Sequence, residues 1–195
     1  MRHRLAAQSR ACRTRPRVLA AGLAAAGLAA ASTLTGCATA SDPVPGCGAP
    51  LRLAIIAQSV PGASYVPCIR QLPQGWTTSS FDPARGATSF TLNSDRAPGE
   101  PVTVRLAAGC RPGRATPSPP RAPGVATYTW LASISPRVTG RLYDVFPGGC
   151  VTYRFDFPLG PHIGLMEEFG SAIGLYSRQQ LRRTLKQELG VELDP

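Results

Sequence analysis

Residues 151–157 read Val-Thr-Tyr-Arg-Phe-Asp-Phe, and this stretch decides the fold. Its apolar residues occupy every second position, and polar residues lie between them. Because successive side chains of a strand point to opposite faces, this alternation predicts a β-strand with one buried face. Pro147, Gly148 and Gly149 come just before it, after the run 141–146. This spacing predicts a hairpin with a tight turn.

Three runs upstream alternate in the same way, at residues 89–93, 102–108 and 127–134. Near the C-terminus the period changes, since Leu181, Leu185 and Leu189 recur every four residues, which predicts a helix. Ser177 fits its N-cap, with Gln180 completing a capping box, and a Gly follows Leu189 as a natural end. A shorter helix is expected over about residues 163–173.

Strands followed by helices, without strand-helix alternation, are typical of the α+β class. We therefore expect an antiparallel sheet of about four to six strands with two C-terminal helices, stabilised by disulfides. Residues 51–60 are compatible with a helix or a buried strand, and the prolines between 61 and 73 should break regular structure. The proline-rich segment 111–126 is expected to be an exposed loop.

The net charge of +10 does not indicate a nucleic-acid-binding protein. Six of the 21 basic residues lie in the first 17 positions, and none of the 11 acidic residues does. The rest of the chain is only weakly basic. Its arginines permit contact with anionic lipid headgroups or wall polymers, although solvation alone would explain them.

The first 36 residues have the parts of a secretory signal, which are a basic start, an apolar run and small residues before a cleavage site. The run ends in Leu34-Thr35-Gly36-Cys37, which resembles the lipobox of bacterial lipoproteins. The resemblance implies cleavage before Cys37 and a diacylglyceryl group on its thiol. It also implies that Leu34, Thr35 and Gly36 are the residues that the peptidase recognises.

The alternative for this leader is an uncleaved membrane anchor. Residues 18–35 are just short of the roughly 20 apolar residues that a span needs, and many of them are alanine. Under either interpretation the domain lies outside the cytoplasm. We expect a signal peptide over 1–36, a lipidated flexible tether over 37–50 and a single domain over 51–195.

Cys12 lies in the leader, and Cys37 is the predicted site of lipidation. The other four cysteines are Cys47, Cys68, Cys110 and Cys150. An even number in an oxidising compartment predicts two disulfides. Zinc is the competing interpretation, but zinc sites favour closely spaced cysteine pairs, and these are far apart. If the runs from 102 to 157 form an up-and-down meander, Cys110 and Cys150 lie at the same end of the sheet. The expected bridges are then Cys110–Cys150 and Cys47–Cys68.

No motif for catalysis, a cofactor or a metal is recognised in the sequence. His162 has no evident nucleophile to serve, and we interpret it as a surface residue at a helix start. Glu167 and Glu168 could act with a distant carboxylate, as in a glycosidase, but they also suit the first turn of a helix. Asp144 and Asp156 are expected to form structural ion pairs with Arg141 and Arg154.

The aromatic residues are expected mainly in the core, with Trp76 and Tyr143 as the ones whose exposure would indicate a ligand groove. The sequence therefore predicts a lipid-anchored envelope protein with a non-catalytic binding domain. Its partner could be an envelope protein or a glycan. The alternative function is an envelope hydrolase with carboxylate acid–base chemistry, which would need two acidic side chains converging in one pocket.

Overall fold

The domain is built on one large antiparallel sheet. A computed structural model describes residues 45–160 and 162–193. The strands are β1 (Tyr65–Ile69), β2 (Trp76–Ala84), β3 (Ala87–Ser94), β4 (Ala97–Ala107), β5 (Thr116–Ser118), β6 (Ala126–Ser133), β7 (Arg137–Phe146), β8 (Gly149–Pro158) and β9 (Ile173–Ser177). Seven of them form a sheet in the order β2-β3-β4-β8-β7-β6-β5, and β1 pairs with β9 in a separate two-stranded sheet.

The helices are α1 (Pro50–Ser59), α2 (His162–Ala172) and α3 (Arg178–Thr184), which continues into a π-helical turn over Leu185–Leu189. As predicted, the side chain of Ser177 accepts the N–H of Gln180 at the start of α3. Gly190 ends the last turn in the left-handed conformation. Within the described ranges, no helix is long and apolar enough to cross a membrane.

The helices cover one face of the large sheet, which we call the inner face. The rings of Tyr153, Phe155 and Phe157 on β8 contact the ring of Phe169 on α2. Leu53 of α1 is fully buried in the same core. Burial of large apolar side chains on this single face provides most of the driving force for folding. The opposite, outer face carries no helix in the part of the chain that is described.

The α+β class, the antiparallel sheet and the disulfides agree with the sequence. The predicted strand count is too low, since the described chain has seven strands in one sheet and two in another. The missed strands lack the alternation that predicts a strand. β2 is largely exposed and polar, and β5 is a three-residue edge strand that contains Pro117. β1 contains Pro67, which is tolerated because β1 is not a central strand.

Two predictions for the N-terminal part of the domain need correction. A third helix, α1, forms over residues left open between helix and strand, and Pro50 suits its first turn. The tether predicted over 37–50 is wrong from Pro45 onward. Ile69 N–H donates to the Pro45 carbonyl, and Cys47 N–H donates to the Ile69 carbonyl. Residues 37–44 lie outside the described residues.

Both disulfides are present in the pairing that the sequence predicts, Cys47–Cys68 and Cys110–Cys150. The strand order behind that prediction is wrong, because β4 pairs with β8 and not with β6. The predicted Cys110–Cys150 pairing is nevertheless correct, because β4 and β8 are antiparallel and Ala107 is opposite Cys150. The end of β4 and the start of β8 therefore meet at one edge of the sheet. Because the four described cysteines are bonded to one another, none of these four offers a thiolate to zinc.

The hairpin between β7 and β8 forms as predicted, with Phe146 opposite Gly149. Gly148 in the turn has a φ of 71° and closely approaches the backbone of Gly62. A side chain at this position would clash with that backbone, so glycine is required by both conformation and space.

Candidate functional site

The outer face of the sheet carries a line of arginines across neighbouring strands. Arg154 on β8 is directly opposite Arg141 on β7, and Arg141 is directly opposite Trp130 on β6. On the other side, β4 places Arg105 opposite Thr152, so that Arg105 is a diagonal neighbour of Arg154. Residues two apart on one strand point to the same face of the sheet, so Thr152 and Arg154 share a face. Arg105 is opposite Thr152 and Arg141 is opposite Arg154, so both lie on that same face.

Aromatic side chains lie beside this line of arginines on the outer face. Tyr143 is opposite Thr152 on one side and Tyr128 on the other. Although Tyr143 belongs to the outer face, only 5% of it is exposed. It lines the hollows under the segment that follows β4 and carries Arg111 and Arg114.

That segment is attached at Cys110, whose disulfide to Cys150 joins it to the start of β8. Two hollows lie along it, one of about 420 Å³ lined by Arg105, Arg111, Arg141 and Arg154. The other, of about 270 Å³, is lined by Arg111, Arg114, Arg141 and Trp130. We call these five arginines, namely Arg105, Arg111, Arg114, Arg141 and Arg154, the arginine face.

The arginine face is rich in positive charge. No carboxylate among the described side chains lines either of these two hollows. A third hollow, of about 370 Å³, is lined by Arg141, Arg154 and also Asp156, whose carboxylate pairs with Arg137. The described ion pairs use Arg96, Arg121, Arg137 and Lys186, and none uses an arginine of this face. The guanidinium of Arg141 lies 5.8 Å from the centre of the Trp130 ring, which is a cation–π contact. Guanidinium groups bind phosphate or carboxylate through paired hydrogen bonds, so this surface is chemically suited to an anion.

The inner face carries a different polar cluster, centred on the fully buried Asp144. Its carboxylate accepts hydrogen bonds from Thr127 Oγ1 at 2.8 Å, Tyr153 Oη at 2.8 Å and Arg121 Nη1 at 3.2 Å. Arg121 Nη2 also donates to the carbonyl oxygens of Gly170 and Ile173. Burial raises the pKa of Tyr153 well above its usual range, although the nearby Arg121 opposes this. The cluster connects β6, β7 and β8 to the end of α2.

The ion pairs predicted for the two aspartates are wrong. Asp144 pairs with Arg121 and Asp156 pairs with Arg137, rather than with Arg141 and Arg154. Arg141 and Asp144 are three positions apart on one strand, so their side chains point to opposite faces. The expectation that 111–126 is a solvated loop is also wrong in part, since this segment contains β5 and the half-buried Arg121.

The residues considered for catalysis lie apart from the arginine face. His162 begins α2, and its Nδ1 contacts the Leu159 carbonyl oxygen. Glu168 accepts from Trp76 Nε1 at 2.6 Å and forms a bidentate pair with Arg96, whose hydrogen bond is the main reason that the pKa of Glu168 is lowered. Glu167 is exposed on the same helix.

The exposure test for the aromatic residues gives a clear answer, because Trp76 and Tyr143 are each only 5% exposed. Neither is a free ligand platform by itself. Sequence reasoning missed the arginine face because its arginines were assigned to ion pairs and to a solvated loop. The available signal was that the outward positions 105 and 154 of two alternating runs, and the first residue of the run 141–146, are all arginine.

A second basic hollow, of about 610 Å³, lies near the start of α3. Arg178, Arg182 and Arg183 line it together with residues 62–65. Arg178 has a structural role here, since its Nη1 donates to the Ala57 carbonyl oxygen at 2.7 Å and so joins α3 to α1.

Comparisons with protein-family models, with characterised proteins and with solved structures found no match to this chain. The residues predicted for lipidation and cleavage, Cys37 with Leu34, Thr35 and Gly36, lie outside the described residues.

Proposed function

We propose that the protein is anchored to the outer face of the cell membrane by a lipid on Cys37 and that its domain is a non-catalytic binding module. The lipid anchor is supported by the Leu34–Cys37 pattern after an apolar run. The two disulfides of the domain suit an oxidising compartment outside the cytoplasm. The binding surface in this proposal is the arginine face, and its ligand is anionic.

The observation that carries the binding function is the direct opposition of Arg141 and Arg154 on neighbouring strands. Like charges at directly opposite positions destabilise a sheet. An outer face that only has to be soluble would not need this arrangement, since a carboxylate or an uncharged polar residue at either position would remove the repulsion. An anion bound between Arg141 and Arg154 would attract both guanidinium groups and so offset the repulsion between them.

The hydrolase alternative would require two convergent carboxylates. Among the four described hollows, only one has an acidic residue in its lining. That residue is Asp156, which pairs with Arg137. No observation in the described chain therefore favours the hydrolase over the binding module.

The anchor is tested by expressing the full chain in a bacterium that processes lipoproteins and comparing it with Cys37→Ala and Cys12→Ala. The wild type and Cys12→Ala are expected in the membrane fraction, with a mature N-terminus at a lipid-modified Cys37. Cys37→Ala is expected to remain unprocessed or to leave the membrane. Mass spectrometry that finds an unmodified Cys37 within an intact leader would contradict the proposal.

A further inference from the structure

The number and spacing of the cations on the arginine face indicate which class of anion it can bind. We infer that it binds a linear polymer carrying phosphate groups, laid across β4, β8 and β7, and that this polymer belongs to the cell envelope outside the anchoring membrane. The inference deepens the proposed function and depends on it only for the location of the ligand.

The first argument concerns charge. Five arginines line two adjoining hollows that share Arg111, Arg141 and Tyr143, without a carboxylate in the described lining. One phosphate monoester carries at most about two negative charges near neutral pH. A single phosphate would therefore leave most of these cations without a partner, whereas several phosphates in one chain would match them.

The second argument concerns spacing. Directly opposite residues on antiparallel strands are about 5 Å apart and diagonal ones about 7–8 Å. Arg105, Arg154 and Arg141 thus form a line about 12 Å long across three adjacent strands. A line of this length suits successive groups of a chain that crosses the strands obliquely. Trp130 extends the line on β6, where the guanidinium of Arg141 lies over its ring.

The third argument concerns shape. The cations of the arginine face surround hollows beside the 109–114 segment. A polymer chain can enter such hollows more readily than the headgroups of a flat bilayer can.

The test is calorimetric titration of the full chain, purified in nonionic detergent micelles, with linear inorganic polyphosphate. Parallel titrations use orthophosphate, poly-glutamate of similar length, single-stranded DNA and vesicles of anionic phospholipid. Polyphosphate is expected to bind at least about tenfold more tightly than orthophosphate, because several charge-assisted hydrogen bonds form at once. It is also expected to bind more tightly than poly-glutamate, DNA or the vesicles.

Two double variants with the same change in net charge make the test specific. Arg141→Thr with Arg154→Thr should weaken polyphosphate binding by about 100-fold and should lower the slope of log affinity against log salt by about two. Arg182→Thr with Arg183→Thr removes two cations from the hollow at α3. This control should change the affinity by less than about threefold. Equal unfolding midpoints would show that both variants are folded.

Equal weakening by both double variants would overturn the inference, since net charge alone would then explain binding. Equal or tighter binding of poly-glutamate, DNA or vesicles would overturn the assignment to a phosphate polymer of the envelope. If polyphosphate fails to bind while Cys37 is found lipidated, this inference fails and the anchor stands. If polyphosphate binds and Cys37 is unmodified, the anchor fails and the binding site stands.

Discussion

Arginines on the two faces of the large sheet differ in their burial and in their carboxylate partners. On the inner face, Arg121 is 18% exposed and directs its donors to Asp144 and to two backbone carbonyl groups. On the outer face, Arg141 and Arg154 are exposed and stand opposite each other with no carboxylate paired to them among the described residues. Arg121 therefore stabilises the fold on the inner face, whereas Arg141 and Arg154 offer binding capacity on the outer face, where Arg137 is paired with Asp156.

This difference follows from the cost of desolvation. A cation that leaves water must gain a partner, because an unpaired buried charge is strongly unfavourable. A cation that stays in water can remain unpaired at little cost and keeps its donors available for a ligand. Each face can therefore be tested by variants that should affect only that face.

The largest effect is expected from Asp144→Ala on the inner face. This change leaves Arg121 without its counter-ion and should lower the free energy of unfolding by about 3–5 kcal/mol. Asp144→Asn, which keeps an acceptor, should lose less and remain folded for comparison. The control is Asp156→Ala, whose ion pair with Arg137 is 45% and 37% exposed, with an expected loss below about 1 kcal/mol. Urea unfolding measures both, and equal losses would remove the contrast between the faces.

A smaller effect is expected at Glu168, whose ion pair with Arg96 is largely exposed, with 43% of the Arg96 side chain and 30% of the Glu168 side chain accessible. Its pKa is lowered, first by the hydrogen bond from Arg96 and then by that from Trp76. Its stabilising contribution is therefore complete above the ordinary glutamate pKa and is lost as the pH falls through the lower, folded-state pKa.

Below about pH 4 the unfolding midpoint of the wild type should consequently fall more steeply than that of Glu168→Gln, which has no proton to bind there. Glu167→Gln is the matched control, because Glu167 is exposed on the same helix. Parallel pH profiles for the wild type and Glu168→Gln would mean that this ion pair does not stabilise the fold.

The smallest expected effect is a gain in stability on the outer face. Arg154→Thr removes the repulsion with Arg141 and should raise the free energy of unfolding by about 0.5 kcal/mol in low salt. The gain should shrink in high salt, where exposed charges are screened. Arg105→Thr is the control, because Arg105 is opposite Thr152 and not opposite a cation. A loss of stability in Arg154→Thr would show that Arg154 has a structural partner.

The sequence by itself determined the strands whose side chains alternate and the helix with leucines every four residues. These patterns are local, since burial of one face dictates period two in a strand and about 3.6 in a helix. The capping Ser177, the glycine turn at residue 148 and the even number of cysteines are equally local signals. They predicted the fold class, the β7–β8 hairpin and the presence of two disulfides, whereas the pairing of the cysteines was predicted from a strand order that is wrong.

Only the tertiary structure decided which strands are neighbours, and the candidate site depends on that. The insertion of β8 between β4 and β7 brings Arg105, Arg154 and Arg141 into one line, although Arg105 and Arg154 are 49 residues apart in the chain. It also brings Arg121 from a proline-rich segment to Asp144. Alternation says which side chains share a face of one strand, but it carries no information about the partner strand. Strand order is set by packing over the whole core, so an electropositive surface assembled from several strands cannot be recognised in any one of them.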